Sequence, residues 1–238
     1  MKKNLTAPLA FALIFSAGTA NADTITSLFN TGVDNFGIAL SNGSVDSHYK
    51  IVTDPGVAGT VSELAYGYKS GWPIAGNGPW QSPGSNAGWD TPTSTLNTST
   101  IAAAGLWDYR TSFSLAGLNP ATADITGSWT ADNIGVEILL NGVNTGIPAT
   151  PDSTFQLVNF AINSGFVAGL NTLDFIVNNV SSPYSNNPSG LLVELSGTAA
   201  SSAVPLPSAI WTFMAGTMAL LALGKRRKAA SLNHQHNG

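Results

Sequence analysis

Between Asp23 and Ala203 the apolar and polar residues change places at every second position in a series of short runs. Tyr109, Thr111, Phe113 and Leu115 alternate with Arg110, Ser112 and Ser114. Leu173, Phe175 and Val177 alternate with Asp174, Ile176 and Asn178, and Leu191, Val193 and Leu195 with Leu192, Glu194 and Ser196. Ile125, Gly127 and Trp129 continue the pattern, and Val136 to Leu140 forms a further apolar run. A period of two puts each set on one face of a strand, so these runs predict half-buried strands. Asn141-Gly142 directly after Leu140 is the strongest two-residue hairpin signal in the chain. No long stretch carries the 3.6-residue period of an amphipathic helix. Many short strands at spacings of roughly ten residues predict an all-β fold, a single antiparallel β-sandwich.

The two ends break this pattern. Lys2 and Lys3 precede an apolar region from Ala7 to Ala17, and Ala20-Asn21-Ala22 supplies small residues for cleavage. This is the layout of a secretory signal peptide, residues 1–22, with the mature chain starting at Asp23. At the other end Val204-Pro205-Leu206-Pro207-Ser208-Ala209 leads into an apolar run that closes at Leu223, followed by Lys225, Arg226, Arg227 and Lys228. Ala209 to Gly224 is sixteen residues. As a helix it spans about 24 Å, less than a hydrocarbon core of about 30 Å, and makes a short transmembrane anchor. Pro205 and Pro207 are tolerated before or within its first turn. The four cations stay on the cytoplasmic side, which leaves the bulk of the protein outside. The organisation is thus a signal peptide (1–22), a β-sandwich ectodomain (23–200), a tail of proline motif, apolar helix and basic cluster (201–228), and a short cytoplasmic overhang (229–238). His234 and His236 fall in that overhang.

The tail resembles the PEP-CTERM sorting signal of exported bacterial proteins in its V-P-L-P-A variant, on Val204 to Ala209, Trp211, Gly216 and Lys225 to Lys228. That resemblance implies recognition by an exosortase-type processing enzyme in an exopolysaccharide-producing bacterium. It also implies passage through an inner-membrane intermediate to the envelope, outer surface or biofilm matrix. Leu206 stands where the broader motif has an acidic residue. A generic tail-anchored or translocated membrane protein is the alternative. From Leu106 to Ala199 the chain also resembles the galactose-binding-like jelly roll of carbohydrate-binding domains. The resemblance lies in Trp129 to Asn133, Ile138 to Gly142, Gly169 to Phe175 and Gly190 to Glu194. It implies a jelly-roll ectodomain and exopolysaccharide as a partner, although fold likeness does not carry ligand binding with it.

Charge becomes informative once the ends are set apart. All thirteen acidic residues lie between Asp23 and Ala203, against Lys50, Lys69 and Arg110, for a net charge of −10 there beside −4 for the whole chain. Such a surface repels phosphate backbones and argues against nucleic acid as a partner. Cysteine is absent, which rules out disulfides, thiol catalysis and cysteine-ligated zinc.

Enzyme chemistry has little support in the sequence. His48 is the one histidine between the two ends, and its neighbours Asp46 and Ser47 cannot complete a triad with it on an extended chain. Asp108, Asp132, Glu137, Asp152, Asp174 and Glu194 are carboxylates of the kind that hydrolyse glycosides, but their spacing selects no pair. Asp108, Asp174 and Glu194 lie opposite the apolar phase of their strands, on an expected solvated face. Asp132 and Asn133 are expected to support a turn. No cofactor is implied, and a structural calcium on loop carboxylates is the one metal left open. Tyr66, Tyr68, Trp72, Trp80 and Trp89 concentrate in a Gly-, Pro- and Asn-rich segment. Flat rings suit sugar faces, so these five form a candidate glycan-binding platform, with packing over a sheet edge or an open end of the sandwich as the alternative. A non-enzymatic exported protein is the preferred reading. A polysaccharide-active enzyme and a ligand-free structural matrix component are its rivals.

Overall fold

The computed structural model describes residues 22–152, 155–183, 186–202 and 216–221. The chain divides into two compact units, Met1–Ser201 and Ser202–Gly238. Within the second, residues 216–221 are helical. The proline motif, the basic cluster, the overhang and the segment up to residue 21 lie outside the described residues. Among the described residues no helix is long and apolar enough to cross a membrane.

The first unit is a curled antiparallel sheet of eleven strands: β1 (Ala22–Thr24), β2 (Ser44–Thr53), β3 (Glu63–Tyr68), β4 (Trp89–Thr91), β5 (Gly105–Ser114), β6 (Asp124–Asp132), β7 (Ile134–Leu140), β8 (Val143–Asn144), β9 (Val158–Ile162), β10 (Leu170–Asn179) and β11 (Gly190–Ala200). They hydrogen-bond in the order β8-β7-β10-β5-β2-β3-β4-β11-β6-β9, and β1 pairs with β11. The long pairings are β10 with β5, from Leu170↔Ser114 to Asn179↔Gly105, and β11 with β6, from Gly190↔Asp132 to Thr198↔Asp124. Curling brings these two halves together over one core. Phe175 on β10 meets Trp129 on β6 at 5.9 Å and Phe160 on β9 at 6.4 Å between ring centroids.

The alternation read along the chain is the alternation that fills this core. Tyr109, Thr111, Phe113 and Leu115 are buried, as are Leu173, Phe175 and Val177. Each fully buried side chain of that size contributes about 1.5–3 kcal/mol. The predicted hairpin is present: Leu140 pairs with Val143, and Asn141 and Gly142 have φ of 54° and 78°. Positive φ at both central residues suits the right-handed twist of the flanking strands. Asn141 then ties the turn to β10, accepting from the Thr172 N–H and donating to Asn171 Oδ1.

β11 departs from simple alternation. Leu191 and Val193 enter the main core, yet Leu192 between them is also fully buried, in a second cluster with Tyr68, Ile74, Trp80, Ala87, Trp89 and Phe155. The segment between β3 and β4 folds over the outer face of β11 and creates that satellite core.

Candidate functional site

Of the five aromatic candidates, Trp80, Trp89 and Tyr68 are buried, while Tyr66 and Trp72 are half-exposed. Trp80 and Trp89 stack with centroids 4.3 Å apart. Their indole N–H groups are both used, Trp80 Nε1 donating to Asp132 Oδ2 at 2.8 Å and Trp89 Nε1 to the Gln81 carbonyl at 2.8 Å. The Tyr68 hydroxyl accepts the Leu96 N–H at 3.0 Å. A sugar has no access to rings sealed in this way. Tyr66 and Trp72 keep partial exposure, although Tyr66 also packs against the satellite core.

The carboxylates are less exposed than the strand pattern implies. Asp174 is only 1% exposed, because β10 is an interior strand and Arg110 lies across it in a two-pronged contact, Nε to Oδ1 at 2.5 Å and Nη2 to Oδ2 at 3.0 Å. This corrects the expectation of a solvated face at that position. Asp108, on the same side of β5, is pushed up to about 7 by burial and by the Asp174 charge, against the pull of Arg110. Glu194 holds the loop before β4 by accepting the Gly84 N–H at 2.9 Å. Asp132, expected to brace a turn, instead receives the Trp80 indole. Burial and the Asp152 charge push it up to about 7, and the Trp80 hydrogen bond opposes them. Asn133 does brace the chain, its Oδ1 accepting the Val180 N–H. Glu137 accepts a hydrogen bond from the Asn144 amide.

His48 stacks on Phe29 at 3.6 Å. Asp46 Oδ1 accepts the main-chain N–H of His48 at 2.7 Å, and Oδ2 that of Gly32 at 2.6 Å. Asp46 therefore braces the backbone at His48 and Gly32. Its carboxyl lies against that of Asp90, which reaches it across β3. Burial raises Asp46 despite the two N–H donors. Burial, then the Asp46 charge and the contact with Asp46, raise Asp90 far above the usual carboxylate range. Burial of two neighbouring acids favours their protonated forms.

A second pair of acids lines a cleft of about 240 Å³. Asp54 follows β2 and accepts the Gly56 N–H at 2.7 Å, and Glu63 opens β3. Burial, the Asp54 charge and the Asp54 contact all raise Glu63. Thr93, Thr100 and Ser189 add hydroxyls to the wall, and Val57, Ile101, Ala102 and Trp107 add apolar surface. Carboxyls beside hydroxyls are donors and acceptors suited to a polyol. Among the described residues no three His, Asp or Glu side chains gather to hold a metal. Neither acid pair was visible in the sequence. Asp46 and Asp90 come together only through the β2-β3-β4 pairing, and Asp54 and Glu63 only because β2 and β3 are neighbours.

Comparison with protein-family models, curated proteins and solved structures finds no match for this chain.

Proposed function

We propose that this is an exported, non-enzymatic surface or extracellular-matrix protein. Its β unit is carried across the inner membrane behind a cleaved signal peptide and held there by a PEP-CTERM-like tail for an exosortase-type enzyme. The observation that carries the reading is the order of the tail: Val204-Pro205-Leu206-Pro207-Ser208-Ala209, an apolar run, then Lys225, Arg226, Arg227 and Lys228. The acidic residues all precede this tail, so the basic cluster stands apart as a cytoplasmic retention signal.

In this reading the β unit is a jelly roll. Its strand order supports that class, since β4-β11-β6-β9 and β5-β10-β7-β8 follow the order of the two four-stranded halves of a jelly roll, here joined into one curled sheet through β2 and β3. Exopolysaccharide is the proposed ligand, met through the half-exposed Tyr66 and Trp72. Replacing Lys225 to Lys228 by alanine, or deleting residues 204–238, is expected to move the protein from the membrane fraction to the released fraction. Identical fractionation of the variants and the parent chain overturns the sorting reading.

A further inference from the structure

We propose that the seam between β8 and β9 is the docking surface for a second copy of this chain, joined edge to edge along β9. Among the described residues β8 and β9 are the two ends of the hydrogen-bond order, so each keeps an unpaired edge. An unpaired edge offers a row of N–H and C=O groups to another strand. Edge strands are commonly protected by Lys, Pro or an inward charge. β9 reads Val-Asn-Phe-Ala-Ile and has none of these. Its outward residues Asn159 and Ala161 are exposed, and small enough to let a second backbone approach.

Charge selects the partner. From Ile138 to Leu173 Asp152 is the single charged residue, within a region whose net charge is −10. The seam cleft, about 400 Å³, is lined entirely by uncharged residues, among them Val143, Asn144, Thr145, Ala161, Ile162 and Val167. Val143 is 69% exposed and Val167 48%. Two identical acidic molecules repel each other across most approaches, and a neutral, partly apolar edge is the approach on which they do not. Antiparallel pairing of β9 with its own copy is self-complementary and closes at a dimer.

The test is sedimentation of the full-length chain in a fixed concentration of non-ionic detergent, over a range of protein concentrations. A reversible dimer is expected. It should tighten when salt rises from about 50 to about 500 mM, because screening removes the acidic repulsion. Ala161→Lys, which puts a charge and a long side chain on the neutral edge, should weaken it by about tenfold or more. Ser112→Lys, on an exposed position of β5, should leave it unchanged. Circular dichroism and melting of both variants keep folding separate from docking. A monomer at every concentration, or a dimer indifferent to Ala161→Lys, overturns the proposal. So does a dimer abolished by deleting residues 204–238, which assigns the association to the tail. The chain has no cysteine, so Ala161→Cys introduces a sole thiol. A monomer in which that thiol resists maleimide points to another segment of the same chain as the occupant and also overturns the proposal.

Discussion

Trp80→Phe is the sharpest probe of how the satellite core is held. Phenylalanine keeps a ring to stack on Trp89, 4.3 Å away, but it removes the N–H that Asp132 accepts at 2.8 Å. Asp132 is buried and its pKa is raised from 3.8 to about 7, burial being the main cause. A folded-state value above the unfolded one favours the protonated form. Its contribution is therefore complete below about pH 4 and is lost as pH rises through about 7. At about 1.4 kcal/mol for each tenfold change, the range amounts to about 4 kcal/mol. The Trp80 hydrogen bond matters most when Asp132 is ionised. Its loss is expected to cost about 1 kcal/mol at pH 5 and about 2–3 kcal/mol at pH 8.5, where a buried carboxylate is left without its donor. Urea unfolding at the two pH values measures the difference. A cost that does not change with pH means that the indole is not supporting an ionising group, and the account of Asp132 fails. Asp132→Asn should flatten the fall in stability between pH 4 and 7, and Trp80→Ala, which loses the same N–H together with the ring, should cost about 3–5 kcal/mol at pH 5 and more at pH 8.5.

Four other outcomes follow from the packing. Gly190→Ala places a methyl 2.5 Å from the Trp80 ring; it should cost about 1–3 kcal/mol in urea unfolding and change the tryptophan fluorescence. Arg110→Met leaves the buried Asp174 carboxylate without its guanidinium, at about 2–3 kcal/mol, and should push Asp108 above its value of about 7 in a carboxyl NMR titration. Asn141→Ala loses the αL-tolerant residue and its bonds to β10, and a fall in stability of about 2 kcal/mol is expected from thermal melts. Trp72→Ala should lower affinity for matrix polysaccharide in a pull-down while the melting temperature holds; an unaltered affinity removes Trp72 from the glycan reading.

The strands were legible because period-two patterning is local. Leu173, Phe175 and Val177 announce their face without reference to anything else in the chain, and Asn141-Gly142 specifies its own turn. What escaped is long-range. Trp80 and Trp89 read as loop aromatics since nothing near them in sequence says that Leu192, more than a hundred residues later, needs a cover. Asp174 reads as solvated because alternation reports which side of a strand a residue occupies, not whether Arg110 lies over that side. The acid pairs escaped for the same reason, since Asp46 and Asp90 are joined through an intervening strand.

β1 zips antiparallel onto the end of β11, with Ala22 opposite Ala200, and the Ser201 hydroxyl donates to Asp23. The start of the sheet and the point where the chain leaves it therefore sit side by side. A pull directed along β11 would load its nine cross-strand pairs with β6 together, in shear. A protein tugged along that strand meets the load with one of its two longest ladders.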